Sequence, residues 1–228
     1  MNIKQVGLIT YHYNHLKTEQ VLLKLFRKNY DYKIFALPFK PRNFREILIK
    51  HRPDQSEAAH PQDIATKYNI PYKICDSDTD IDKGCDIYLI LGTGILSAAC
   101  VKEKKIVNCH PGIIPSSRGL DSFKWAIYEM KPVGVTLHYI DEKVDSGEII
   151  SVVPTDVFES DTIATLARRH YENEIEVLSQ FDYYLGNPKN PFANVEVGEA
   201  KKRMNRKKEQ ELLNIFDKYK EKYANLKF

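Results

Sequence analysis

The run Asp86-Ile-Tyr-Leu-Ile-Leu91 constrains this chain more than any other stretch. It is a short, continuous apolar run, and a Gly92-Thr-Gly94 turn follows it. It therefore reads as a strand buried on both faces, which needs helices to cover it. The sequence before it supplies the other strands and the helices. Residues 6–9 form a strand pattern, and 18–27 form a helix with Val21, Leu22, Leu25 and Phe26 on one side. A second strand over 33–37 stops at Pro38, a helix follows over 61–68, and a short strand covers 70–74. After the glycine turn come a short helix and another strand over 105–108. Such alternation predicts an α/β fold built on a mostly parallel sheet.

Beyond Gly119 the pattern changes. A helix is expected over 121–129, an alternating strand over 134–140 with Val135, Leu137 and Tyr139 on one side, and a strand over 148–153. A long helix follows over 161–184, with Ser160 as its N-cap and Gly186-Asn-Pro as its stop. The last segment reads as a Pro- and Asn-rich link, a short strand over 194–197 and a helix. That helix lines up Leu212, Ile215, Phe216, Tyr219 and Tyr223 for packing on the body or on a second copy, which leaves a homodimer open. The expected architecture is a Rossmann-like open sheet with helices on both faces over residues 1–186, and a strand/helix appendage over 187–228.

Composition narrows the class. With 43% hydrophobic and 29% charged residues the chain falls with globular proteins, not disordered ones. No apolar run approaches the roughly 20 residues of a membrane span, and the first residues lack a signal-peptide core, so a cytoplasmic location is expected. Cys75, Cys85, Cys100 and Cys109 form neither a Cys-x-x-Cys pair nor a zinc spacing, so they read as reduced thiols and no metal is expected. The net charge of +3 is concentrated in Lys201, Lys202, Arg203, Arg206, Lys207 and Lys208. This cluster reads as the solvated start of a helix, with no nucleic-acid or membrane partner expected.

The chemistry is concentrated after residue 105. Asn108 and His110 end an apolar run, and on a strand residues two apart share a face. Cys109 points the other way, and Pro111-Gly112 stops the strand. A carboxamide and an imidazole at the carboxyl end of a strand occupy the place where open α/β sheets bind ligands. With a later carboxylate, Asp145, they suggest acyl transfer: one group to hold an oxyanion, two to move a proton. Taken alone, Asn-x-His is equally consistent with a satisfied strand end, and Asp145 with a turn before Gly147.

The fuller string resembles the folate-dependent formyltransferases. The matching positions are Asn108, His110, Pro111, Ile113, Ile114, Pro115, Arg118, Gly119, Asp145 and Gly147. Two depart from the pattern: Gly112 stands where serine is usual, and Ser117 where an aromatic is common. The resemblance implies 10-formyltetrahydrofolate as co-substrate and Asn108, His110 and Asp145 as the catalytic group. It places the pterin against Gly94, Ile95 and Leu96 and against the 140–144 loop, with Ile140, Asp141, Glu142 and Val144 as contacts. Gly92-Thr-Gly94 is no dinucleotide fingerprint.

Absences separate the members of that family. The methionyl-tRNA enzymes usually carry a C-terminal barrel, and the hydrolases an N-terminal regulatory domain; this sequence has neither pattern. Glycinamide ribonucleotide enzymes place a Gly- and Ser-rich phosphate turn after the first strand, where this chain has Tyr11-His-Tyr-Asn14. The resemblance is thus strongest to small enzymes that formylate a nucleotide-linked amino sugar, with uridine or thymidine as carrier. Tyr11, His51, Arg52 and Arg118 are the candidate acceptor contacts, the arginines for a diphosphate. The other readings are a glycinamide ribonucleotide or methionyl-tRNA formyltransferase and a catalytically silent binder on the same scaffold.

Overall fold

The computed structural model of the chain describes residues 3–41, 46–141, 147–224 and 226. The chain divides into two compact units: Met1–Arg42, Asp54–Asn108 and Tyr139–Lys143 form the first, and Asn43–Pro53, Cys109–His138 and Val144–Phe228 form the second.

The first unit follows the expected alternation. Strand β1 (Gln5–Tyr11) leads to α1 (Leu16–Leu25), β2 (Asp31–Leu37), α2 (Pro61–Lys67), β3 (Tyr72–Ile74), β4 (Ile87–Ile90), α3 (Ala98–Lys102) and β5 (Ile106–His110). β1 pairs in parallel with β2 and β4, β2 with β3, and β4 with β5. Helix α1 buries Val21, Leu22 and Leu25, the stripe read from its spacing. Pro61 starts α2, where its missing N–H costs nothing, and the Ser97 hydroxyl accepts from the Cys100 N–H to cap α3. Ile9, Phe35, Leu37, Tyr88 and Ile106 pack in one core with Cys75 and Cys100. Gly7 makes room for that packing: a Cβ there would lie 2.3 Å from the Tyr88 ring on the neighbouring strand.

The second unit contains the two-residue strand β6 (Arg118–Gly119), α4 (Ser122–Tyr128), β7 (Gly134–Tyr139), β8 (Ile149–Pro154), α5 (Ile163–Ser179), α6 (Phe181–Gly186), β9 (Ala200–Lys201) and α7 (Arg206–Tyr223). β7 and β8 are antiparallel, and β6 pairs with β9. Helix α7 contributes Leu212, Phe216, Tyr219 and Tyr223 to a core with Phe123, Ala126, Ile127 and Leu166. The strand order β3-β2-β1-β4-β5-β7-β8 makes one mostly parallel, seven-stranded sheet, as the alternation predicts. All four cysteines are free thiols, with Cys75, Cys100 and Cys109 buried. Among the described residues no helix is long and apolar enough to cross a membrane.

Three local expectations need correction. Ser160 does not cap the long helix. Asp161 instead closes a turn, accepting from the Phe158 N–H at 2.8 Å, and Thr162 caps α5 in a box with Thr165. The expected 161–184 helix is two helices, α5 and α6, divided at Gln180. The expected strand over 194–197 is absent, and pairing occurs instead at Ala200–Lys201, where β6 offers a backbone edge. Both faces of β7 are buried, Thr136 and His138 as fully as Val135 and Leu137.

Candidate active site

Asn108 and His110 are the third and fifth residues of β5, so the two-residue period puts them on one face and buried Cys109 on the other. His110 is 4% exposed. Its Nε2 lies 3.0 Å from the Ser117 carbonyl oxygen, which can only accept. The neutral imidazole therefore carries its hydrogen on Nε2, and its basic lone pair is on Nδ1.

The loop that offers this carbonyl is fastened residue by residue. The Ser122 hydroxyl donates to the Pro111 carbonyl at 2.5 Å, and the Thr136 hydroxyl donates to the Gly112 carbonyl at 2.7 Å. Thr136 also accepts from the Ile114 N–H at 3.0 Å. The Ser117 N–H reaches the Ile113 carbonyl, and the Gly198 N–H the Pro115 carbonyl, each at 2.8 Å. A loop with its carbonyls so occupied holds the His110 imidazole in one orientation.

Behind it lies His170 on α5, which sequence reasoning missed. Its Nε2 lies 3.3 Å from the Pro111 carbonyl, and its Nδ1 lies 3.0 Å from the Thr155 hydroxyl. The carbonyl needs a donor, so His170 is the Nε2–H tautomer and Nδ1 accepts from Thr155. Burial is the main cause that pushes its pKa down to about 4, so it is neutral near pH 7. A signal was available: His170 and Glu174 are one helical turn apart among the buried Leu166, Tyr171, Ile175 and Leu178. Polar residues on a core-facing stripe need partners.

Two of the expected acceptor contacts, His51 and Arg52, come to the same neighbourhood. The Arg52 guanidinium pairs with the buried Glu174 carboxylate and lies 5.7 Å from the Tyr171 ring centre. The His51 ring is parallel to Phe123, and burial, followed by the charges of Lys124 and Arg52, lowers its pKa to about 3. Phe123 in turn meets His170 at 5.0 Å. Lys124, another residue the sequence did not single out, pairs with Glu209 of α7 at 2.5 Å, both fully buried. The other Glu209 oxygen accepts from the Leu48 N–H at 2.8 Å, fastening the segment that carries His51 and Arg52. Arg118 lies on β6, in register with Ala200 and directly after Ser117.

In the first unit, Leu96 and Ile140 both pack against the core cluster of Ile9, Phe35, Leu37, Tyr88 and Ile106. Ile95, next to Leu96 in the turn, is 87% exposed, and a Cβ on Gly94 would meet nothing within 4 Å. An exposed aliphatic side chain beside an open glycine backbone fits a flat, hydrogen-bonding ring. Asp141 is exposed. Glu142, Val144 and Asp145 lie outside the described residues. Tyr11, at the end of β1, packs edge-on to His15 and Phe39, and both Tyr11 and His15 lie against Gly92.

Residues 87–181, which include Asn108 and His110, match the formyl transferase family. The chain is 37% identical over 71 residues to the phosphoribosylglycinamide formyltransferase of Bacillus subtilis, covering 31% of this chain and 36% of that protein. It is 35% identical over 86 residues to the dTDP-4-amino-4,6-dideoxyglucose formyltransferase of Mycobacterium bovis, covering 37% of each. The crystal structure of a 4-N formyltransferase from Francisella tularensis has the same fold, with a TM-score of 0.61 at 17% identity over 92% of this chain and 86% of that one. The chain spans about a third of the length of both curated relatives.

Proposed function

We propose that this chain transfers a formyl group from 10-formyltetrahydrofolate to the amine of a nucleotide-linked amino sugar, carried on dTDP or UDP. The formyl-transfer part is supported by the domain match and by His110, held by Ser117 with its basic nitrogen defined. When bound, the folate supplies an activated formyl carbon. Asn108 donates its amide hydrogens to the formyl oxygen as that oxygen gains charge. His110 takes the proton from the attacking amine. Asp145 is assigned to orienting or relaying that proton. Gly94, Ile95, Leu96, Ile140, Asp141, Glu142 and Val144 hold the pterin.

The observation that carries the acceptor is the start of α1. The amino end of a helix after the first strand is a natural phosphate site because its first N–H groups lack helical partners. Here the Leu16 N–H donates to the Gln55 carbonyl at 2.8 Å, and the Lys17 N–H to the Gln55 side chain at 3.1 Å. The chain fills its own anion cradle, which argues against a ribonucleotide phosphate there. Nearby, Tyr13 and Phe39 stack at 4.5 Å with both rings exposed, a flat apolar surface suited to a nucleobase. Tyr11, His51, Arg52 and Arg118 are the further acceptor contacts in this reading.

The purine-pathway reading has the Bacillus relative in its favour, and one assay separates the two. Turnover with the formyl donor is measured against dTDP- and UDP-linked amino sugars and glycinamide ribonucleotide, with bare dTDP and UDP as competitors. Turnover of a nucleotide-linked sugar, inhibited by its bare nucleoside diphosphate, is the expected result. Rapid formylation of glycinamide ribonucleotide with no competition by either diphosphate would overturn the acceptor assignment.

A further inference from the structure

We infer that Gly112 is a positioning residue for His110: its missing side chain is what lets the imidazole dock on the Ser117 carbonyl. A Cβ at this position would lie 2.5 Å from the Ser117 oxygen and 2.9 Å from His110 Nε2, against both ends of the bond that defines the tautomer. It would also lie 2.8 Å from the Ser122 Cβ. Gly119, not Gly112, has a left-handed backbone, so at 112 it is space that demands glycine.

The surroundings cannot yield cheaply. His110, Ser117 and Ser122 are all buried. The backbone on either side is tied down, with the Pro111 carbonyl on Ser122 at 2.5 Å and the Gly112 carbonyl on Thr136 at 2.7 Å. Room for a methyl group must come from the remaining contact, the 3.0 Å bond between His110 and Ser117. With that acceptor displaced, the Nε2–H tautomer loses the partner that selects it, so the basic nitrogen is no longer confined to Nδ1. Serine is the usual residue here in the family this loop resembles. Restoring it should therefore harm this chain, although it changes no group assigned to the chemistry.

The test reads the tautomer directly and does not depend on turnover. Histidine ¹⁵N signals are recorded near pH 8, His110 being assigned from the signal missing in His110→Gln. Wild type should show the Nε2–H form, whereas Gly112→Ala and Gly112→Ser should show a mixed signal. With the substrates of the proposed reaction, kcat should fall on the order of a hundredfold, as a displaced catalytic group costs. The KM for the formyl donor should stay within about twofold, because ground-state binding is untouched. An Nδ1–H wild-type His110 overturns the inference, as does a Gly112→Ala protein with wild-type tautomer, whatever its kcat. Should neither variant fold, the wild-type spectrum decides alone, Nε2–H in favour and Nδ1–H against. Expected spectra in a protein that turns over no acceptor would sink the formyl-transfer reading and leave the positioning role standing.

Discussion

His170 makes the stability of this protein depend on pH in a window that can be named. It is 2% exposed, and both ring nitrogens are engaged, Nε2 with Pro111 at 3.3 Å and Nδ1 with Thr155 at 3.0 Å. Thr155 also accepts from the Asn173 amide at 3.2 Å, so the neutral ring completes a chain of donors and acceptors. Burial is the first cause that lowers its pKa from 6.5 to about 4; the neighbouring Glu174 carboxylate opposes this and Arg52 adds to it. The folded value lies below the unfolded one, so the unfolded chain takes the proton first. His170 therefore costs nothing above pH 6.5, costs progressively more as pH falls, and reaches its full cost below about 4. That gap corresponds to roughly 3 kcal/mol. The assay is urea unfolding of wild type and His170→Gln between pH 8 and 4. At pH 8 the variant should be less stable by about 1–2 kcal/mol for its altered hydrogen bonds. Toward pH 4 the difference should move by roughly 3 kcal/mol in the variant's favour, because glutamine takes up no proton. His51 is also pushed down, to about 3, and titrates in both proteins; His170 is only a minor cause of that shift, after burial, Lys124 and Arg52, so most of the difference reports on His170 itself. Parallel stability curves across this range would refute the reasoning.

Three further outcomes are expected. Glu209→Leu should cost about 3–5 kcal/mol by leaving the Lys124 ammonium buried without its main partner. Adding Lys124→Met should recover most of that loss, and a single variant as stable as wild type in urea would refute it. Asn108→Ala should lower kcat by about a hundredfold or more, roughly 3 kcal/mol, with an unchanged circular-dichroism spectrum. Combining it with His110→Ala should give less than the product of the two losses, and full multiplication would show that they do not act together. Gly94→Phe should fold normally, since open space surrounds that Cβ, and should weaken folate binding in calorimetry more than acceptor binding. Unchanged folate affinity would place the pterin elsewhere.

What the sequence by itself determined is local. The apolar run at Ile87–Ile90, the stripe on α7 and the shared face of Asn108 and His110 follow from the 2.0 and 3.6 residue periods. Backbone geometry imposes these periods on neighbours, and so the mostly parallel sheet and the key pair of the candidate site were legible. Contacts between distant residues were not. Thr162 rather than Ser160 caps α5 because Asp161 is taken up by Phe158, Thr165 and Arg169. β9 lies at 200–201 because the backbone edge of β6 meets it there. His170 reaches Pro111, Glu209 reaches Lys124, and Gln55 fills the start of α1, each across tens of residues. No periodicity links such partners. A buried polar group must find a complement, but which one it finds depends on where the folded chain brings the other groups. Tertiary structure alone decided that His110 has a fixed tautomer, that Gly112 leaves it room, and that Gln55 takes up the first N–H groups of α1.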